Sequence, residues 1–423
     1  MKWNIFFLTS MILSFCYIYA ATDSIIDAAA TDSIIDAIDS YNDDTYSTNI
    51  TKRILVVVDR FPWFTKRIIT HQITKMIEAG FHVSIYSINR PDIYVDEASV
   101  IDYDLLEKIY YENLPPDLDT YDIILCQYGE LGRDFIKIKE RYNLKAKILT
   151  CFRGSDITAT ERITESYYKD LFKKGDYFLP VCAYYKYRLE LLGCDPEKIV
   201  VLYSGVDTDL FKKGERGNSH SPIMRLISVC RLHEQKGIQY VLQAIALLPK
   251  EFQNIEYIIV GDGSYAPTLK DLTKKLKLSD RVHFVGWKNQ KEIASLLHKA
   301  DVFVLPSITR PDGTQEGIPN ALKEAMVTGL PVIATHHSGN YEIIQHGITG
   351  FLVPERDANS LKNIIRLLVN KTKLWRDMGL RARDSIIKKF DMHLVNEKLI
   401  NILKILINNN RLNVHNGDVC EII

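Results

Sequence analysis

From Arg53 onward, short runs of β-branched and aliphatic residues alternate with stretches of helical periodicity, and the alternation runs through the chain twice. The first series reads RILVVVD (53–59), a helical stretch from Arg67 to Glu78, HVSIYSI (82–88), DIILC (122–126) and KILTC (147–151). After the polar, turn-rich KKGERGNSHSP (212–222), the second reads RLISVC (225–230), a helical stretch from Gly237 to Leu248, EYIIV (256–260), RVHFV (281–285), DVFVL (301–305), PVIAT (331–335) and FLVP (351–354). Strands that are apolar along their whole length need cover on both faces, and the intervening helices supply it. Each series therefore predicts an α/β unit with a parallel sheet, joined to the other by a hinge. A length of 423 residues also suits two domains rather than one. In such units ligands bind at the carboxyl ends of the strands, so the cleft between the two units is the expected site.

The second unit carries the most informative stretch, EGIPNALKEAM (316–326), closed by Gly329. It follows the strand run ending at Pro306 and the loop SITRPDGTQEG. Pro319 suits a first helical position, which predicts a helix starting near Ile318 with its N–H groups and positive dipole end facing the loop. Such an end is a ready site for a phosphate. Glu316 and Glu324 lie eight positions apart, about 12 Å along a helix, far enough to hold hydroxyl groups on opposite sides of a diphosphate. Spacing alone also fits a blander role, with Glu316 complementing the helix dipole and Glu324 facing solvent. CRLHEQKG (230–237) sets Arg231 and Lys236 directly after a strand, where two cations would meet a diphosphate leaving group or be ordinary surface charges. VGDG (260–263) lacks the third glycine of a dinucleotide fingerprint, and RILVVVD runs into DRFPWF without a glycine loop. A nicotinamide dehydrogenase is thereby disfavoured. Asp207-Thr208-Asp209 copies a metal-binding DxD, but in the hinge-side SGVDTDLF, so no metal site is assigned there.

Lysine plus arginine and aspartate plus glutamate both number 53, so no global field recruits nucleic acid. The seven cysteines show no paired CxxC spacing and predict neither a disulfide framework nor a zinc site. At the N-terminus, Lys2 precedes an apolar stretch from Ile5 to Tyr19, short for a membrane span, which reads as a signal peptide over 1–20 or an uncleaved anchor. It directs the chain to the secretory pathway or an extracytoplasmic site, membrane-anchored if uncleaved. Residues 21–52 hold the tandem repeat ATDSIIDA and an acidic run, an expected disordered linker. Near the other end, Glu397, Asn401, Lys404 and Asn408 form one polar stripe on an otherwise apolar helix, the pattern of a packing helix.

Taken together, the motifs GSDIT, SGVDTDLF, SVCRLHEQKG, VGDG, HFVGW, EGIPNALKEAMVTGLPVIAT and GITGFLVPERD resemble those of the retaining glycosyltransferases of family 4 (glycosyl transferases group 1). The resemblance spans about Ile54 to Phe390 and is nearest the exopolysaccharide subgroup of colanic acid and amylovoran type, through the loop PDGTQEGIP (311–319). It implies the GT-B fold, two Rossmann-like domains with parallel sheets facing across a cleft. The implied division is 53–205 for the acceptor domain, 206–385 for the donor domain, 386–410 for C-terminal helices packing back on the N-terminal domain, and 411–423 for a tail. It implies transfer of a sugar, with retained anomeric configuration, from a nucleoside diphosphate sugar to a hydroxyl of a saccharide or lipid-linked acceptor, in polysaccharide or glycoconjugate synthesis. No metal or other cofactor is then needed, and peripheral contact with a membrane is compatible with such an acceptor. Arg231 and Lys236 match the residues that neutralise the diphosphate, Glu316 the carboxylate beside the transferred sugar, and Glu324 the one holding the ribose. Gly317, Asn320 and Gly339 fall at the donor site.

Departures from the family pattern lie mainly in the first domain. CFRGSD has Arg153 where a histidine is common, FPWFTKR lacks the usual serine-glutamate-threonine, and HHSGNYE has Asn340-Tyr341 where Ile-Pro is frequent. Arg153 is accordingly a candidate for a second contact to the diphosphate from across the cleft. It also keeps open a GT-B protein that binds nucleotide-sugar without turnover; a nucleotide-sugar epimerase is a third alternative.

Overall fold

The computed structural model describes residues 52–62, 67–91, 98–214, 223–252, 254–408, 410–415 and 418–422. The signal or anchor, the repeat and most of the segment 212–222 lie outside the described residues. Strands β1 (Arg53–Arg60), β2 (His82–Asn89), β3 (Ile109–Tyr111), β4 (Ile123–Cys126), β5 (Lys147–Phe152) and β6 (Tyr177–Pro180) form one parallel sheet in the order β3-β2-β1-β4-β5-β6. Strands β7 (Met224–Val229), β8 (Ile255–Val260), β9 (Val282–Gly286), β10 (Val302–Leu305), β11 (Val332–Thr335) and β12 (Phe351–Val353) form a second, ordered β12-β11-β10-β7-β8-β9. The two orders are the same Rossmann-like winding, and each reverses once, at β1/β4 and at β7/β10. The expected strands all occur; β3 and β6 are additions to the sequence reading.

Burial follows from patterning. All four residues of β4, β10 and β11 are buried, as two-sided cover demands. The helix Arg67–Glu78 has the predicted bounds and sends Ile69, Ile73 and Met76 into the first sheet's core. Helix Met392–Ile407 returns to the same core through Val395, Leu399, Ile402, Leu403 and Leu406, and leaves Glu397, Asn401, Lys404 and Asn408 exposed, as their stripe predicts. The preceding helix Thr372–Phe390 packs instead on the second domain, so only the later part of 386–410 joins the first. Residues expected as a tail form strands β13 (Leu412–His415) and β14 (Asp418–Ile422), paired antiparallel. The missed signal in the sequence is Asn416-Gly417 between the runs LNVH and DVCEI, a strong hairpin dipeptide. Among the described residues no helix is long and apolar enough to cross a membrane, and Cys126, Cys151, Cys182, Cys194 and Cys230 are free thiols.

The domains meet in a shared apolar cluster that includes Cys182 and Tyr185 from the first and Ile318 and Leu322 from the second. Beside it, Lys323 is only 1% exposed, and its Nζ donates to the carbonyl of Ser204, at the end of the first domain. Burial pulls this ammonium down to about 7, with Glu324 acting the other way. A lysine with a folded pKa below its unfolded value binds fewer protons in the native state, so stability rises with pH between about 7 and the ordinary lysine range. We expect the contribution of Lys323 to stability to increase by about 2–4 kcal/mol across that window, against the opposite trend of the buried thiols, whose pKa burial raises. Lys323→Met, which removes the titrating group, should lack that upward contribution, so the stability difference between the two proteins should shift in favour of the wild type as pH rises, as thermal melts from about pH 6 to 10 will show. Equal slopes in both proteins would rule out the linkage.

Candidate active site

The carboxyl ends of β7 and β10, the pair at the second sheet's switch point, carry the charged residues. After β7, the backbone makes a short 3-10 turn, Glu234–Lys236, that ends at Gly237 with φ +69°. The turn brings Lys236 over the loop that follows β10, and its Nζ donates to Glu316 Oε1. Ser307, two residues past β10, donates to the other carboxylate oxygen at 2.7 Å. The paired side chains are 14% and 18% exposed. Burial works to raise the Glu316 carboxyl, yet Lys236 and Ser307 hold it below its ordinary range. Burial works to lower the Lys236 ammonium, yet Glu316 holds it above its ordinary value. Both directions describe an ion pair that persists at neutral pH. Arg231 is exposed at the mouth of the same cleft and has no carboxylate partner among the described residues.

The helix after this loop runs from Asn320 to Val327, with Pro319 at its N-cap rather than its first turn. This corrects the expected start near Ile318: Pro319 has ψ 128°, extended rather than helical, so Glu316 to Pro319 remain loop. Glu324 is therefore on the second helical turn, and helix contributes about 6 Å of its separation from Glu316. Glu324, Gly317, Asn320, Arg231, Lys236, Glu316 and Arg153 all line one cleft of about 1900 Å³ between the domains. Gly339 does not: it sits in the turn Ser338–Glu342, where an added Cβ would lie 2.7 Å from Ile318 and 3.3 Å from Cys182. Its packing belongs to the domain contact. Next to it, Glu342 accepts the N–H groups of Ala183 (2.9 Å) and Tyr184 (3.0 Å), at the N-terminus of helix Ala183–Leu191 in the first domain. A carboxylate there satisfies N–H groups the helix leaves over.

Across the cleft, Arg153 follows β5, and its guanidinium donates to the amide oxygens of Gln127 (3.1 Å from Nε) and Gln72 (3.2 Å from Nη2). Both acceptors are neutral, so the fork is oriented without its charge being cancelled. Its backbone N–H and that of Gly154 bind the Asp156 carboxylate, which fixes the turn. Burial, then the nearby Glu130, pushes Asp156 up to about 6 in spite of these N–H groups. The PDGTQEG loop reaches over to this wall. Thr158 Oγ1 donates to the Gln315 carbonyl and accepts its N–H, each at 3.0 Å, while Tyr185 donates to the same carbonyl at 3.2 Å. Gly313 (φ +78°) lies so close to Thr160 that a Cβ would fall 2.0 Å from its hydroxyl. The cleft is thus bridged beside Glu316.

Asp207 uses its carboxylate on the N–H groups of Asp209 (3.1 Å) and Leu210 (2.8 Å), a turn cap within its own segment. Residues absent from the sequence reading include Ser307, Thr158, Gln315, His337 and Glu355; none stands in a recognisable spacing with its partner.

The family profile described as Glycosyl transferases group 1 matches residues 215–385. The amylovoran biosynthesis glycosyltransferase AmsK of Erwinia amylovora is 31% identical over 399 residues, covering 82% of this chain and 97% of that protein. The putative colanic acid biosynthesis glycosyltransferase WcaL of Salmonella typhimurium is 36% identical over 289 residues, covering 67% of this chain and 70% of that protein. Among solved structures, Anabaena Alr3699/HepE in complex with UDP superposes with a TM-score of 0.69 at 18% identity, covering 84% of this chain and 100% of that one. With two Rossmann-like sheets, a charged interdomain cleft and a relative matched over nearly its full length, the chain belongs to the glycosyl transferases group 1 family and is a glycosyltransferase of GT-B fold.

Proposed function

We propose that the protein transfers a sugar, with retained anomeric configuration, from a nucleoside diphosphate sugar to a hydroxyl of a saccharide or lipid-linked acceptor, in polysaccharide synthesis and without a metal. The observation that carries the reading is the Lys236–Glu316 pair at the β7/β10 switch point, with Arg231 beside it at the cleft mouth. Lys236, held by Glu316, and the exposed Arg231 offer two cations to a departing diphosphate, and Arg153 supplies a third, oriented by Gln127 and Gln72, from the opposite wall. Such preorganised charge stabilises the leaving group as the sugar carbon acquires oxocarbenium character. Glu316 has both oxygens occupied, by Lys236 and Ser307, which suits a group that orients the sugar better than one attacking it. Retention by attack from the leaving-group face needs no more. Glu324, on the second turn of its helix, suits the ribose hydroxyls. The binding of UDP and UDP-glucose by Anabaena Alr3699/HepE supports a donor of this class.

A panel of UDP- and GDP-sugars, offered with saccharide and lipid-linked acceptors, tests the reading. Transfer releases nucleoside diphosphate and should be indifferent to EDTA; activity lost in EDTA and restored by manganese would overturn the metal-free mechanism. Isomerised sugar without release would mark an epimerase, and binding without either product a non-catalytic protein. Within this scheme, Glu324→Ala should weaken donor binding about tenfold while leaving kcat within a few-fold, because a ribose contact is similar in ground and transition states. Calorimetry that finds equal donor affinity would remove Glu324 from the ribose.

A further inference from the structure

His337 has a side chain 0% exposed, and the chemistry above gives it no part. It lies two residues beyond β11, and its Nε2 accepts the backbone N–H of Glu316 at 3.1 Å. Its Nδ1 faces Glu355 Oε1 at 2.6 Å. A backbone N–H can only donate, so Nε2 bears no proton, and the single N–H of the neutral ring is then on Nδ1, aimed at the carboxylate. Glu355 also accepts from Thr309, through the backbone N–H at 2.8 Å and the hydroxyl at 2.9 Å. Thr309 lies near the start, and Glu316 near the end, of the loop between β10 and the helix Asn320–Val327. The series Thr309, Glu355, His337, Glu316 therefore pins both limbs of that loop to the ends of β11 and β12.

We propose that His337, oriented by Glu355, is a positioning residue that fixes the Glu316 backbone so that its carboxylate meets the sugar half of the donor. The inference rests on the reading of Glu316 as the sugar contact. Lys236 and Ser307 hold only the end of the side chain, and Thr158 and Tyr185 hold the Gln315 carbonyl on one side of the peptide that enters Glu316. The N–H on its other side is left to His337, and without that contact the peptide can still tilt and carry the carboxylate with it. A misplacement of about 1 Å can cost on the order of 10² in rate.

The test compares His337→Asn and His337→Gln with Glu316→Gln, using UDP-glucose against UDP, or GDP-mannose against GDP if that is the pair the wild type recognises. Asparagine carries its amide at the level of Nδ1 and leaves the Glu316 N–H without an acceptor; glutamine reaches the level of Nε2 and can replace it. His337→Asn should bind the bare diphosphate within about twofold of wild type, yet lose at least about tenfold in kcat and in the extra affinity conferred by the sugar. His337→Gln should recover both to within about threefold. Parallel loss of bare-diphosphate and sugar-nucleotide affinity, or equal damage in the two variants, would show a merely structural histidine and overturn the proposal. If Glu316→Gln loses the sugar's contribution while His337→Asn keeps it, the positioning inference alone fails. If Glu316→Gln keeps it too, the reading of Glu316 fails first and the inference with it.

Discussion

Lys236→Ala is expected to lower kcat by about 10²–10³-fold, the loss typical of removing one preorganised group that stabilises developing charge. The same substitution leaves Glu316, which is only 18% exposed, with Ser307 as its remaining side-chain partner. An uncompensated carboxylate in that position takes up a proton more readily, so the variant should also be less stable by about 1–3 kcal/mol at neutral pH. Part of that cost should disappear below the carboxylate range, where the wild-type pair is itself lost. The sign follows from Glu316: its folded pKa is depressed, so its contribution is present above the ordinary carboxylate value and falls as pH drops through the lower, folded one. Lys236→Ala removes that depression, so the two proteins should converge in stability as the solution becomes acid. Steady-state kinetics with the donor found in the panel, together with melts at neutral and acid pH, measure both effects. A variant that keeps more than about a tenth of wild-type turnover would exclude Lys236 from leaving-group stabilisation.

Gly237→Ala should be among the most damaging single methyl groups near the site. Gly237 has φ +69°, and a Cβ built there would lie 1.8 Å from the Pro306 carbonyl oxygen. The left-handed conformation costs a non-glycine residue about 1–2 kcal/mol, and the clash is with backbone that cannot rotate away. A loss of about 4 kcal/mol or more is expected, or failure of the second domain to fold. Moving the turn would also withdraw Lys236 from Glu316, so any folded fraction should show the kinetic defect of Lys236→Ala. Chemical denaturation checks the first effect. Near-native stability would mean that the loops after β7 and β10 can separate freely, and that the ion pair is not set by this close approach.

How much of the protein was legible beforehand differs between its parts. The helix Arg67–Glu78 and ten of the strands follow from apolar runs and periodicity, because burial on one or both faces leaves a local mark on composition. Two strands of the first sheet left a weaker mark. β3 is only Ile109, Tyr110 and Tyr111, all half-buried at the sheet's edge, and β6 ends in Pro180, a residue that usually argues against a strand.

By itself the sequence determined the parallel α/β class and the two series of strands, and its motifs, through their placement after strand runs and the family resemblance that they carry together, made Arg231, Lys236, Glu316 and Glu324 candidates. Only the tertiary structure decided which of them touch. Lys236 and Glu316 are 80 positions apart, Thr158 and Gln315 157 apart, and Ala183 and Glu342 159 apart. Such pairs exist because β7 and β10 are neighbours in the sheet and because the domains close on each other. Strand order and domain docking are set by the summed burial of many residues, none of which records its distant partner in its own neighbourhood. The same reason hid His337, a buried histidine whose sequence neighbours give no hint of the Glu316 N–H that it meets across 21 positions.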